Sequence, residues 1–86
     1  MKKFIVFHHN AFEDFIFWEQ ADSVIFNKIK DLIKDISRDP FKGLGKPEPL
    51  KNEYKGYWSR RINLEHRLIY KVNNDDIIIA SCRFHY

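Results

Sequence analysis

The sequence predicts an α+β fold: a small, mainly antiparallel sheet packed on an N-terminal helical hairpin, in the order β-α-α-β-β-β. Three observations predict it. Apolar side chains recur three and four apart between Phe12 and Ile36, the period of a helix. They alternate with polar ones between Gly56 and Phe84, the period of a strand. Between the two patterns lie residues 39–55, with two glycines, three prolines and few large apolar side chains. The length of 86 residues makes residues 1–86 a single domain. A chain this short buries only about 60–65% of the surface its unfolded form exposes, so a partner surface is expected, from a homodimer or a second protein.

Lys3–His8 is a short β-branched and aromatic run and reads as the first strand. Asn10, with Glu13 three residues later, matches a capping box. It opens a first helix that carries Phe12, Phe15, Ile16 and Trp18 on one side. Asp22 or Ser23 caps a second helix with Ile25, Ile29, Leu32, Ile33 and Ile36 on one stripe. Lys28, Asp31, Lys34, Asp35 and Arg38 cover its other side, and Pro40 ends it. Both helices read as packing, with no chemistry assigned to them.

In the loop that follows, Pro47 and Pro49 fix φ on both sides of Glu48 and remove two backbone donors. Glu48 is thereby held in place on a stiff, exposed segment. A structureless loop of this length in so small a domain is uncommon and usually functional. Three strands come next, Gly56–Ile62, Arg67–Val72 and Asp76–Phe84, joined by turns at Asn63–His66 and Asn73–Asp75 as an antiparallel meander. Alternation puts Ile78, Ala80, Cys82 and Phe84 against the helices, with Leu68, Tyr70 and Val72 beside them. Trp58 and Ile62 join that face, and Arg60 is its awkward member. The uncovered face then gathers Arg61, Arg67, Lys71, Arg83 and His85 as a basic groove, with the Glu48 loop running into the strand at its edge.

Charge points the same way. Residues 1–43 carry seven basic and seven acidic side chains, whereas residues 44–86 carry eight and five, so the net +3 lies in the second half. A one-sided excess suits a polyanion, although a solvated lysine-rich face has the same composition. Arginines interleaved with Tyr54, Tyr57 and Trp58 favour the polyanion, because guanidinium groups contact phosphates and aromatic rings stack on bases. The lone Cys82 forms no internal disulfide and fits a reducing cytoplasm. No run of about 18 apolar residues and no signal-peptide pattern is present, so no membrane association is expected.

RNA cleavage by transesterification needs a base for the 2′-hydroxyl proton, cations for the phosphorane oxygens and an acid for the leaving 5′-oxygen. Glu48, Arg67 and His85 are of the right types for these roles. Lys51, Arg61 and Arg83 add positive charge, and Tyr54, Tyr57 or Tyr86 offers a surface for a base. The bland counterparts are a solvated glutamate in a proline-rich loop and a fraying penultimate histidine. His8, His9 and His66 show no partner pattern and read as structural or surface residues. No metal-ligand spacing, Gly-rich phosphate loop or nucleophile elbow occurs, so neither a metal nor a cofactor is expected.

Several motifs in register carry a family resemblance. Pro40 to Lys51 (PFKGLGKPEPLK), Gly56 to Ile62 (GYWSRRI), Glu65 to Tyr70 (EHRLIY) and the ending Cys82 to Tyr86 (CRFHY) resemble those of the YoeB toxins. Asp14, Trp18 and the pattern of the second helix extend the likeness over nearly the whole chain. That family belongs to the RelE/ParE superfamily of bacterial toxin–antitoxin modules. The resemblance implies a ribosome-dependent mRNA endonuclease acting at the A-site codon, with the ribosome as its activating partner. It implies Glu48 as general base, Arg67 as transition-state stabiliser, His85 as general acid and Tyr86 as the group that orients the substrate. Lys51 and Arg61 match further basic positions. It also implies a homodimer and a YefM-type antitoxin, with operator DNA met only through the antitoxin complex in repression of the operon. The N-terminus departs from the family pattern at His8-His9 and by two additional residues. A non-catalytic RNA-binding module is the alternative reading. A gyrase-directed toxin is a third, and the set Glu48, Arg67, His85 and Tyr86 argues against it.

Overall fold

The computed structural model describes residues 3–84. Ile5–Phe7 forms β1, His9–Ala21 α1 and Ser23–Arg38 α2. Glu48–Pro49 forms β2, followed by a single 3-10 turn at Asn52–Tyr54. Trp58–Arg61 is β3, Arg67–Asn73 β4 and Asp76–Ser81 β5. The sheet runs in the order β1-β5-β4-β3-β2; β1 pairs parallel with β5, and the other pairings are antiparallel. The expected α+β order holds, with one addition. The stretch read as structureless contains the short edge strand β2, which Pro49 tolerates because an edge position leaves its missing donor facing away from the ladder.

α2 forms as its pattern predicts. Ile29, Leu32 and Ile36 are fully buried, and Ile25 and Ile33 pack beside them. Each such side chain removed from water stabilises the fold by about 1.5–3 kcal/mol. Asp22 is the cap: its Oδ1 accepts from the N–H groups of Val24 and Ile25 at 3.0 and 3.2 Å. α1 differs from expectation in both cap and stripe. His8 Nδ1, not Asn10, accepts from the first turn, taking the Asn10 N–H at 3.2 Å. Ala11, Phe15 and Trp18 form the inward stripe, while Phe12 and Ile16 remain 50% and 40% exposed. The stripe is narrow because α1 covers only one end of the sheet, mainly β5.

The faces of the last strand also need correcting. Ile77 and Ile79 are the buried residues, not Ile78 and Ala80. A bulge is the reason: Ile69 stands opposite Ser81 while Tyr70 stands opposite Ile79, leaving Ala80 as the extra residue. The alternation shifts by one there, so Cys82 returns to the core as expected. Phe84 lies beyond the strand and is 56% exposed.

Arg60 resolves the anomaly in the apolar face. Its side chain is fully buried, and Nη1 reaches Asp35 Oδ2 at 2.6 Å and Leu44 O at 3.1 Å. Nη2 donates to Asp39 O at 2.7 Å and Lys42 O at 3.0 Å, and Nε to the Tyr70 hydroxyl at 3.2 Å. That hydroxyl donates in turn to Pro40 O at 2.6 Å. Asp35, assigned to the solvated side of α2, is therefore buried. The Leu44 N–H and the Arg60 guanidinium hold its carboxyl below the ordinary carboxylate range. Gly43 passes so close, at φ +124, that a Cβ would run into the Asp35 carboxylate.

Replacing Arg60 by Met should leave the Asp35 carboxylate with only the exposed Arg38 as a cationic partner, and several loop carbonyls without donors. The expected loss is about 3–5 kcal/mol of unfolding free energy in urea at pH 7. A loss under about 1 kcal/mol, the size of an exposed pair, would contradict the buried-hub account.

Candidate active site

The site is built from strand register. Glu48 on β2 stands directly opposite Ser59 on β3, and Arg61 on β3 opposite Arg67 on β4. Directly opposed residues share a face, and Ser59 and Arg61 share theirs by alternation. Glu48 is therefore the diagonal neighbour of Arg61, with Cα atoms roughly 7–8 Å apart, and Arg67 lies one strand further on. Lys71 continues the row on β4, opposite Ile78. Two arginines placed directly opposite repel, and an anion lying between them relieves that repulsion.

Arg61, Arg67 and Lys71 are each tied locally, the first through its backbone and the other two through their side chains. The Arg61 N–H donates to Gly45 O at 2.7 Å, which ties β3 to the loop entering β2. Arg67 Nη1 donates to Asn63 O at 2.7 Å and His66 O at 3.1 Å, so the turn before β4 sets the position of the guanidinium. That turn forms because Asn63 Oδ1 accepts from the N–H groups of Glu65 and His66 at 2.9 and 2.7 Å. Lys71 Nζ lies 5.1 Å from the centre of the Tyr57 ring. Tyr54 and Tyr57 flank an open cleft of about 330 Å³ with Ile69 and Ala80, and it reaches His8 and Asn10 at the start of α1. Lys51 is exposed at the start of the 3-10 turn.

Arg83 is not in this row. Its guanidinium carbon stacks 3.7 Å from the Phe17 ring centre on α1 and 4.8 Å from that of Phe84, and its Nε is buried with no partner among the described residues. The bulge and the end of β5 at Ser81 turn Arg83 away from the basic groove where alternation placed it. Glu48, Arg61, Arg67 and Lys71 share one face, with Tyr54 and Tyr57 at the cleft beside it. His85 and Tyr86 lie outside the described residues.

Three residues to which sequence reasoning assigned no chemistry stand beside the site. Asp14 Oδ2 accepts from the Cys82 N–H at 3.0 Å, and Trp18 Nε1 donates to Cys82 O at 2.9 Å. His66 is 6% exposed and accepts from the Phe84 N–H. No spacing rule links positions 14, 18, 66 and 82, so only contact in the fold shows them. Burial raises the Asp14 carboxyl, against the Cys82 N–H and the positive Arg83, which lower it. Burial, with the Asp14 charge, pushes the Cys82 thiol up to about 12.

Fold and face together define a class: a small basic α+β domain of RelE-like fold that presents a carboxylate and arginines on one side of its sheet. The family model of YoeB-like toxins of bacterial type II toxin–antitoxin systems matches residues 7–86. Toxin YoeB of Escherichia coli K12 is 49% identical over 82 residues, covering 95% of this chain and 98% of that protein. The solved YoeB/ParE toxin from Agrobacterium tumefaciens superposes with a TM-score of 0.94 at 46% identity, over 96% of this chain and 99% of that one. The Staphylococcus aureus relative, solved in complex with YefM and as a YoeB dimer, matches with TM-scores of 0.90 and 0.91 at 46% and 47% identity, over all of both chains. The chain belongs to the YoeB-like toxins of bacterial type II toxin–antitoxin systems.

Asp14→Asn keeps an oxygen for the Cys82 N–H and removes the desolvated charge. Folded Asp14 binds its proton more tightly than the unfolded chain does. Its contribution to stability is therefore full below pH 3.8 and is lost as pH rises through the raised folded value. The variant should match the wild-type Tm below pH 3.8 and exceed it at pH 7. A lower Tm at pH 7 would contradict this. In native protein Cys82 should resist a thiol reagent such as DTNB and react only on unfolding; rapid labelling of the folded chain would disprove its burial.

Proposed function

We propose that this toxin is a ribosome-dependent mRNA endoribonuclease that cleaves at the A-site codon by general acid–base transesterification, without a metal or other cofactor, and so inhibits translation. The observation that carries this reading is the register that sets Glu48 diagonal to Arg61 with Arg67 on the next strand. A carboxylate at one edge and two guanidinium groups beside it suit a base and the cations that stabilise a phosphorane.

In this reading Glu48 takes the 2′-hydroxyl proton and Arg67 steadies the developing charge. His85 protonates the leaving oxygen, and Tyr86 orients the substrate. Lys51 and Arg61 hold adjoining phosphates, and Tyr54 and Tyr57 offer ring faces to a base. Arg83, stacked on Phe17, meets the RNA away from that row. The ribosome holds the message against the site, so orientation supplies much of the rate.

The S. aureus relative solved with YefM and as a dimer supports a YefM-type antitoxin and a homodimer for this chain too. Exposed Phe4, Phe12, Ile16 and Val24 are of the kind such partners cover. Operator DNA is met only through the antitoxin complex, which represses the operon. The protein works in the cytoplasm. Among the described residues no helix is long and apolar enough to cross a membrane.

Primer extension on a defined message in a reconstituted translation reaction tests the activity. Cuts should fall within the A-site codon, need ribosomes and vanish with a 2′-deoxy nucleotide at the scissile position. Folded Glu48→Gln should cut about 10²–10⁴-fold more slowly. Undiminished cleavage of the deoxy substrate would remove the mechanism. No cleavage by an active preparation would favour an RNA-binding module.

A further inference from the structure

Residues 82–84 are held more firmly than a chain end requires. Asp14 and Trp18 fix both backbone polar groups of Cys82, at 3.0 and 2.9 Å. Two residues later the Phe84 N–H donates to His66 Nδ1 at 2.8 Å, and the Arg67 N–H donates to Phe84 O at 2.8 Å. The two backbone groups of Phe84 are thus taken by consecutive residues of one turn. Phe84 itself stands at φ +63, a left-handed conformation that a residue with a Cβ keeps only where its surroundings over-determine it. Its side chain is 56% exposed and lies with its ring centre 5.7 Å from that of His66 and 4.8 Å from the Arg83 guanidinium carbon.

His66 has the features of a fixed acceptor. Its N–H donates to Asn63 Oδ1 at 2.7 Å, and its carbonyl accepts from the Ile62 N–H at 3.0 Å. Its ring packs edge-on against Trp18, with centroids 4.8 Å apart. Acceptance at Nδ1 places the ring proton on Nε2, which lies 3.6 Å from Glu65 Oε1. Packing against Trp18 alone would be met by any flat ring. The bond to Phe84 requires an acceptor at the δ position.

We propose that His66 is a positioning residue: its Nδ1 holds Phe84 in the left-handed turn from which the chain continues into His85 and Tyr86. Arg67, the next residue, closes that turn through its backbone while its side chain stands on the basic face. One turn therefore places the Arg67 guanidinium and holds Phe84, the last residue before His85. What the pair does rests on the nuclease reading; the hold on Phe84 is a separate claim about the fold.

Three substitutions separate positioning from packing. His66→Asn keeps an acceptor the same number of bonds from the backbone, His66→Gln moves it one bond outward, and His66→Leu fills the space with none. The readouts, on full-length toxin freed of antitoxin, are exchange of the Phe84 amide by NMR and single-turnover cleavage on programmed ribosomes. The Leu and Gln variants should exchange that amide at least about tenfold faster. They should cleave roughly 100-fold more slowly, at unchanged ribosome affinity. The Asn variant should recover most of both. A folded Leu variant with wild-type exchange and cleavage would overturn the proposal, as would an Asn variant no better than Leu. If wild type cuts no RNA the nuclease reading fails, and amide exchange still decides the hold: faster in Leu and restored in Asn supports it, unchanged overturns it.

Discussion

A guanidinium buried in an apolar sheet face is costly unless all its donors are met, and the structure around Arg60 meets them. Asp35 supplies the charge, three loop carbonyls and the Tyr70 hydroxyl supply the remaining acceptors, and α2 supplies the platform. Such a pair is a weak source of net stability, because desolvation offsets most of the attraction. Its effect is on specificity. The path of residues 39–44 that brings those carbonyls to Arg60 also delivers the chain into β2 at the register that sets Glu48 opposite Ser59. Gly43 is needed because the path runs against Asp35 with no space for a side chain.

The functional face is accordingly assembled from two anchors rather than from one rigid element. Arg60 and Asp35 hold the edge that carries Glu48. Asp14, Trp18 and His66 hold the other end, where β5 gives way to residues 82–84. Arg67 sits between them, its guanidinium fixed by the turn that also presents His66. Both anchors hold through hydrogen bonds from buried groups, which cost much when unmet and little when satisfied. Asp14 illustrates the cost. Its carboxyl is raised by burial, so ionising it works against the fold even as it holds the Cys82 N–H.

This arrangement gives the exposed side chains of the site a stiff base. Glu48, Lys51 and Arg61 are all solvent-facing, yet each leaves a backbone held by strand pairing or, at Lys51, by the Tyr54 N–H of the 3-10 turn. Exposed side chains on a fixed backbone suit a substrate that arrives already ordered on a large partner. Long exposed charged groups adjust at low cost, while their spacing is set by the sheet.

Much of this was legible in the chain itself. Helical period in α2, strand period in β4 and the prolines around Glu48 follow from local geometry, because side-chain direction repeats with backbone conformation. The motifs around Glu48, Arg67 and the C-terminus were enough to place the chain in its family. What local rules missed were effects of contact at a distance. A one-residue bulge reversed the faces of Ile77 and Ile78, and its energy lies in the β4 pairing rather than in the strand's own pattern. Asp35 looked like a solvated helix residue until Arg60, 25 positions away, came to lie against it. His66, read only as structural or surface, proved structural once the Phe84 N–H came to donate to it. Sequence alone determined the two helices and the longer strands, and which residue types could carry the proposed chemistry, while the short strand β2 escaped it. Tertiary structure alone decided which polar groups are buried together, because a buried hydrogen bond is worth forming only when both partners leave water at once.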